Sequence, residues 1–134
     1  MKIIFDTNVL LSALLFSGFS TKVYDFCVAR YNIITSDWLL EELEEKLSGK
    51  FKLSDEQVEE ILSILRERMA VVRPFNELPD ACRDVDDNNV LQLAEYMKVD
   101  CIITGDKDLL VLEKYKETLI LTPRQFYDLH IERL

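Results

Sequence analysis

Lys2-Ile3-Ile4-Phe5-Asp6-Thr7-Asn8-Val9-Leu10-Leu11-Ser12-Ala13-Leu14-Leu15 decides the fold. The first four residues form the short apolar run of a buried strand, and Asp6 ends it. Thr7-Asn8 then turn the chain into the apolar helix 9–15. The acid therefore stands at a strand's carboxyl end, beside a helix start. In open α/β sheets ligands bind at that edge, and this placement suits a cation or a phosphate.

The same pattern recurs at Asp100-Cys101-Ile102-Ile103-Thr104, a strand that Gly105-Asp106-Lys107-Asp108 turns into the helical run Leu109-Leu110-Val111-Leu112. Three further strands are expected at Asn32-Ile33-Ile34-Thr35, at Ala70-Val71-Val72 before Arg73-Pro74, and at Leu119-Ile120-Leu121. Helices fill the intervals. Ser20 is expected to cap one running to about Arg30, with Val23, Phe26 and Cys27 inward. Ser36 caps the next, whose stripe is Leu39, Leu40, Leu43 and Leu47. Ser54 and Gln57 have capping-box spacing ahead of a helix burying Val58, Ile61, Leu62, Leu65 and Met69. A fourth follows Asp84-Val85-Asp86-Asp87-Asn88-Asn89 and carries Val90, Leu91, Ala94 and Met97. The last starts at Thr122-Pro123-Arg124-Gln125, with a cap, a first-turn proline and a capping-box glutamine. Alternating strands and helices imply an α/β fold with a parallel sheet, right-handed crossovers and helices on both faces.

At 134 residues and 49% hydrophobic content the chain is expected to form one domain over residues 1–134. Lys2 before an apolar run mimics a secretory signal, but Asp6 and Asn8 interrupt it. No apolar stretch approaches membrane-spanning length, so the reading is a soluble protein. Cys27, Cys82 and Cys101 make neither an even set nor a Cys-x-x-Cys pair, which fits buried thiols in a reducing cytoplasm. His130 is the lone histidine. A histidine-based triad or a zinc site has little material here.

The net charge of −9, from 25 acids against 16 basic residues, argues against non-specific duplex binding. It does not exclude a nucleic-acid enzyme whose acids a metal neutralises. Lys22, Arg83, Lys107 and Arg124 are able to hold phosphate, but each reads first as ordinary surface charge. The segment from Asn76 to Asp84, containing Pro79, is the longest irregular stretch and is expected to rim the site.

Four places deliver acids toward one edge: Asp6 after the first strand, Glu42 on the helix after the second, Asp87 at a helix start, and Asp106 after the fourth strand. Carboxyl ends in a parallel sheet point the same way. At about 4 Å and an effective dielectric near 20, each like-charged pair costs about 4 kcal/mol before screening. Such a cluster needs a cation, or its pKa values rise. All-oxygen ligands select magnesium or manganese (Mg2+ or Mn2+). One or two such ions permit phosphodiester hydrolysis without a histidine, lysine or cysteine.

Asp6-Thr7-Asn8-Val9-Leu10, Ser36-Asp37-Trp38-Leu39-Leu40-Glu41-Glu42-Leu43, Arg83-Asp84-Val85-Asp86-Asp87-Asn88-Asn89-Val90-Leu91 and Ile103-Thr104-Gly105-Asp106-Lys107-Asp108-Leu109-Leu110 resemble the successive motifs of a PIN domain. In particular they are similar to the VapC-like toxins of prokaryotic toxin–antitoxin systems. Thr122-Pro123-Arg124-Gln125-Phe126 extends the likeness toward the C-terminus. The resemblance implies a three-layer α/β/α fold with strand order 3-2-1-4-5 and a metal-dependent ribonuclease acting on RNA. It also implies a homodimer or other homo-oligomer and a cognate antitoxin. Asp6, Glu42, Asp87 and Asp106 correspond to the acidic, metal-binding site. Asp84 or Asp86 could take the place of Asp87, and Asp108 is an auxiliary. Thr7, Asn8 and Thr104 would orient the carboxylates and substrate.

Other readings fit less well. A phosphoaspartate enzyme of the haloacid-dehalogenase type needs a second acid where Asn8 stands, and a receiver domain wants a lysine where Thr122-Pro123-Arg124 follows the last strand. Gly18, Gly49 and Gly105 build no phosphate-binding or dinucleotide loop. The serious alternative is a catalytically weak or inactive RNA-binding or antitoxin-binding module on the same fold.

Overall fold

The computed structural model describes residues 1–132; residues 133 and 134, included in the single-domain expectation, lie outside it. Strand β1 (Lys2–Phe5) leads into α1 (Thr7–Leu15) and α2 (Phe19–Arg30), and β2 (Asn32–Thr35) into α3 (Asp37–Gly49) and α4 (Asp55–Arg68). After β3 (Ala70–Val71) and a long irregular segment come α5 (Val85–Met97), β4 (Cys101–Ile103) and the single turn α6 (Lys107–Leu110). A small hairpin, β5 (Lys114–Tyr115) and β6 (Thr118–Leu121), precedes α7 (Pro123–Phe126), which continues as a π-helical turn over Tyr127–Ile131.

The sheet order is β3-β2-β1-β4-β6-β5. The five strands read from the sequence occupy the expected order, with β6 as the fifth, and all pair in parallel. The short β5 adds an antiparallel edge. Its signal is weak because neither of its bends uses a glycine: Glu113, just before β5, and Lys116, in the β5–β6 turn, take left-handed φ values of 60° and 52°. The helical run expected to reach Leu112 ends at Leu110.

Strands buried on both faces read as continuous apolar runs, since alternate side chains feed opposite layers. Ile3, Phe5, Ile33, Cys101 and Ile103 pack with Leu10, Val23, Leu40, Leu43, Leu65 and Phe126 on one side. Ile4, Ile34, Ile102 and Ile120 pack with Leu39, Val90, Leu91, Leu93 and Ala94 on the other. Each fully buried aliphatic side chain contributes about 1.5–3 kcal/mol. These two layers clamp the strands and thereby fix where their carboxyl ends lie.

Two helix starts differ from the sequence reading. Gly18 at φ +149°, not Ser20, precedes α2. Thr21 holds that corner instead, its hydroxyl donating to the Phe16 carbonyl at 2.6 Å and to the Ala13 carbonyl at 3.2 Å. Helix α5 begins at Val85, with the Asp84 carboxylate accepting from the Asp86 amide at 2.9 Å. Asp86, Asp87 and Asn88 consequently lie inside its first turn.

Candidate active site

The register of β1 on β4 pairs Phe5 with Ile103, so the residues after each strand meet. The Asp6 amide donates to the Ile103 carbonyl at 3.1 Å. One Asp6 carboxylate oxygen accepts from the Asn8 amide at 2.8 Å, capping α1. The other accepts from the hydroxyl of buried Thr104. Thr104 Oγ1 in turn accepts the Asp106 amide at 3.0 Å, and the Asp106 carboxylate accepts the Asp108 amide at 2.8 Å, capping α6. A continuous run of hydrogen bonds thus joins Asp6, Thr104, Asp106 and Asp108 across two strand ends.

Asp87 faces this run from the first turn of α5. It is only 6% exposed, and its Oδ2 finds no hydrogen-bond partner among the described residues. Burial, the hydrogen bond with Asp106, and the charges of Asp106, Asp84 and Asp6 push its carboxyl up to about 7. A buried acid surrounded by acids keeps its proton to higher pH than an ordinary aspartate. One carboxylate oxygen from each of Asp87, Asp106 and Asp108 lies within 4.8 Å of the other two.

A cavity of about 450 Å³ gathers these groups, with Asp6, Asp84, Asp86, Asp87, Asp106 and Glu42 in its wall. Thr7, Asn8, Trp38 and Lys46 complete the rim. Every acid expected at the site lines it except Asp108, whose carboxylate pairs with Arg83 at 3.0 Å. Thr104 stands behind the wall, holding Asp6 and Asp106. Thr7 is buried in the lining, but its hydroxyl makes no hydrogen bond among the described residues. Glu42 accepts from Lys46 at 3.2 Å, one helical turn away on α3. Lys46 also donates to the Asn8 side-chain oxygen at 3.0 Å.

The donor set is all oxygen, and a buried carboxylate oxygen without a partner needs either a proton or a cation. Both facts fit a hard divalent ion, for which Asp87, Asp106 and Asp108 are the acids that come closest together.

A family model described as PIN domain matches residues 2–108. The chain belongs to the PIN domain family. That match takes in every acid of the cavity, while β6 and α7 lie beyond it. A chain in the crystal structure of VapBC2 from Rickettsia felis bound to a DNA fragment from their promoter is similar in fold, with a TM-score of 0.61 at 14% identity, over 90% of this chain and 97% of that one. No curated protein matches the sequence.

Two residues of the PIN site escaped the sequence reading. Lys46 bridges Glu42 and Asn8; its signal was the Glu-to-Lys spacing of four on one helix. Asn88 pins the segment expected to rim the site, of which only Asp84 lines the cavity: its side-chain oxygen accepts the Ala81 and Cys82 amides at 3.1 and 2.8 Å, and its amide donates to the Cys82 carbonyl at 2.9 Å. The irregular segment before α5 is thereby fastened to the helix carrying Asp87. Nothing in sequence separates Asn88 from its neighbour Asn89.

Proposed function

We propose that this PIN domain is a magnesium- or manganese-dependent endoribonuclease, the toxin of a toxin–antitoxin pair, acting on RNA in the cytoplasm as a single-domain chain that forms a homo-oligomer. The observation that carries the catalytic reading is Asp87: a buried carboxyl with an unpartnered oxygen, turned toward Asp106 in a cavity that also holds Asp6 and Glu42. The fold's likeness to a VapBC2 chain and the order of the four motifs support the toxin assignment. The three free cysteines, two of them buried, suit a reducing compartment.

Asp6, Asp87, Asp106 and Glu42 would hold the ion, with Asp84, Asp86 and Asp108 available as auxiliaries. A bound divalent ion supplies a water of lowered pKa and stabilises charge on the phosphate and the leaving oxygen. The chain's own contribution is placement. Thr104 fixes the carboxylates of Asp6 and the backbone of Asp106 in one arrangement, so little reorganisation is needed when substrate arrives. Asn8 locks Asp6 through its amide and faces Lys46 through its side chain, which puts a cation and an amide at the cavity mouth where a phosphate would enter. Asp87, whose carboxyl is raised to about 7, would have to be without its proton to serve as a ligand.

The test is cleavage of single-stranded RNA by the purified protein in magnesium or manganese. Cleavage that disappears with chelator and in Asp6→Asn and Asp87→Asn supports the reading. Cleavage that survives all three places the activity elsewhere, and no cleavage alongside tight binding of a partner favours the inactive module.

A further inference from the structure

We propose that the cavity at the corner between α1 and α2 is a second, nucleotide-binding subsite, which holds a base and a phosphate of single-stranded RNA beside the segment lying in the acidic cavity. The identity of the strand as RNA rests on the nuclease reading above; the subsite itself rests on separate residues. This cavity, about 370 Å³, is lined by Ser12, Phe16, Phe19, Thr122 and Arg124 among others.

Two elements connect it to the acidic cavity, though the two cavities share no lining residue. Asn8 of one and Ser12 of the other stand one turn apart on the same face of α1. Thr122 follows Leu121, whose carbonyl accepts the amide of Thr104 at 2.9 Å. From Asn8 to Phe16 is about 12 Å along the helix, within reach of a few nucleotides.

Cations lie on aromatic rings elsewhere as single pairs, at Arg30–Phe26, Lys50–Phe51 and Lys116–Tyr115; here two cations share the Phe19 ring beside an exposed Phe16. Phe16 is 60% exposed and is braced edge-on by Phe51, with ring centres 6.1 Å apart. The Arg124 guanidinium lies 4.7 Å from the Phe19 ring centre, and Lys22 stands 5.7 Å from both Phe19 and Tyr127. Asp128 takes the Arg124 Nε at 3.2 and 3.3 Å, which leaves the terminal nitrogens without a partner among the described residues. In a chain of net charge −9, Lys22 and Arg124 on one ring, with Asp128 the acid paired to Arg124, give this face a small excess of positive charge. Aromatic faces and guanidinium planes stack bases with little sequence preference, while the free N–H groups of arginine and lysine bind phosphate. A protein partner would need an aromatic ring and a carboxylate at matching side-chain positions, whereas every nucleotide carries a base and a phosphate at a fixed spacing.

The probe is a fluorescein-labelled oligouridylate about ten nucleotides long, bound to the full chain carrying Asp6→Asn in magnesium and followed by anisotropy. Phe16→Leu and Arg124→Gln change exposed side chains, and thermal melting confirms that each still folds. Each is expected to weaken binding about tenfold, and Arg124→Gln to lower the salt slope by about one. On the otherwise native chain, KM for cleavage rises about tenfold while kcat stays within about twofold. Binding and KM that stay within about twofold overturn the subsite and leave the nuclease reading standing. Weakened binding by a chain that cuts no RNA upholds the subsite and removes the nuclease reading. An oligonucleotide that fails to bind the Asp6→Asn chain overturns the subsite.

Discussion

Asp6 and Thr104 lie 98 positions apart in the chain, and the threonine hydroxyl donates directly to the aspartate carboxylate. The same oxygen accepts the amide of Asp106, so one buried hydroxyl fixes two acids that arrive on different strands. Thr104→Val keeps the shape of the side chain and strands both partners. We expect a loss of about 1–3 kcal/mol in stability and at least a tenfold fall in RNA cleavage. Thr104→Ser retains the hydroxyl and should retain most of both; thermal unfolding and cleavage assays on the pair check this.

Asp87 makes the empty site sensitive to pH. Its carboxyl stands at about 7 in the folded protein against an ordinary 3.8. The unfolded chain thus releases this proton first, and its contribution to stability is present below about 4 and is lost as pH rises toward 7. In chelator, the melting temperature of the wild-type chain should fall across that window relative to Asp87→Asn. A constant difference between the two curves would remove the shift.

The same proton links pH to metal uptake. Below about 7 the ion must displace the Asp87 proton, so magnesium or manganese affinity should rise with pH and level off above it. Titration calorimetry in buffers of different ionisation enthalpy should record close to one proton released near pH 6 and far fewer near pH 8.

The parts of the site that are legible in sequence are those that obey strand and helix grammar. Asp6 and Asp106 each follow an apolar run and precede a helix, and the sheet's parallel order brings them together. Asp84, Asp86 and Asp87 could not be separated by spacing, because all three fall around one helix start. Burial separates them: Asp84 is spent on the cap, Asp86 is exposed, and Asp87 points inward. Lys46 was not legible because a Glu-to-Lys pair on a helix ordinarily lies in solvent, and only the packing of α3 beside α1 turns this one toward Asn8. The β5–β6 hairpin was hidden for the opposite reason, since its bends use residues that normally avoid left-handed backbone.

Lys46 competes for Glu42. Its ammonium sits 3.2 Å from that carboxylate, where it offsets charge that a cation would otherwise meet. Lys46→Met should therefore bind manganese several-fold more tightly than wild type by calorimetry, while leaving the fold intact because the side chain is half-exposed. Equal affinity would mean that Glu42 is not a ligand.

Crystals soaked in manganese test the central claim most directly, by anomalous scattering. A peak is expected between the Asp87 and Asp106 carboxylates, with Asp87 Oδ2 as a ligand and the peak lost in Asp87→Asn. Strong manganese density elsewhere on the molecule, with Asp87 and Asp106 still facing each other and nothing between them, would contradict it.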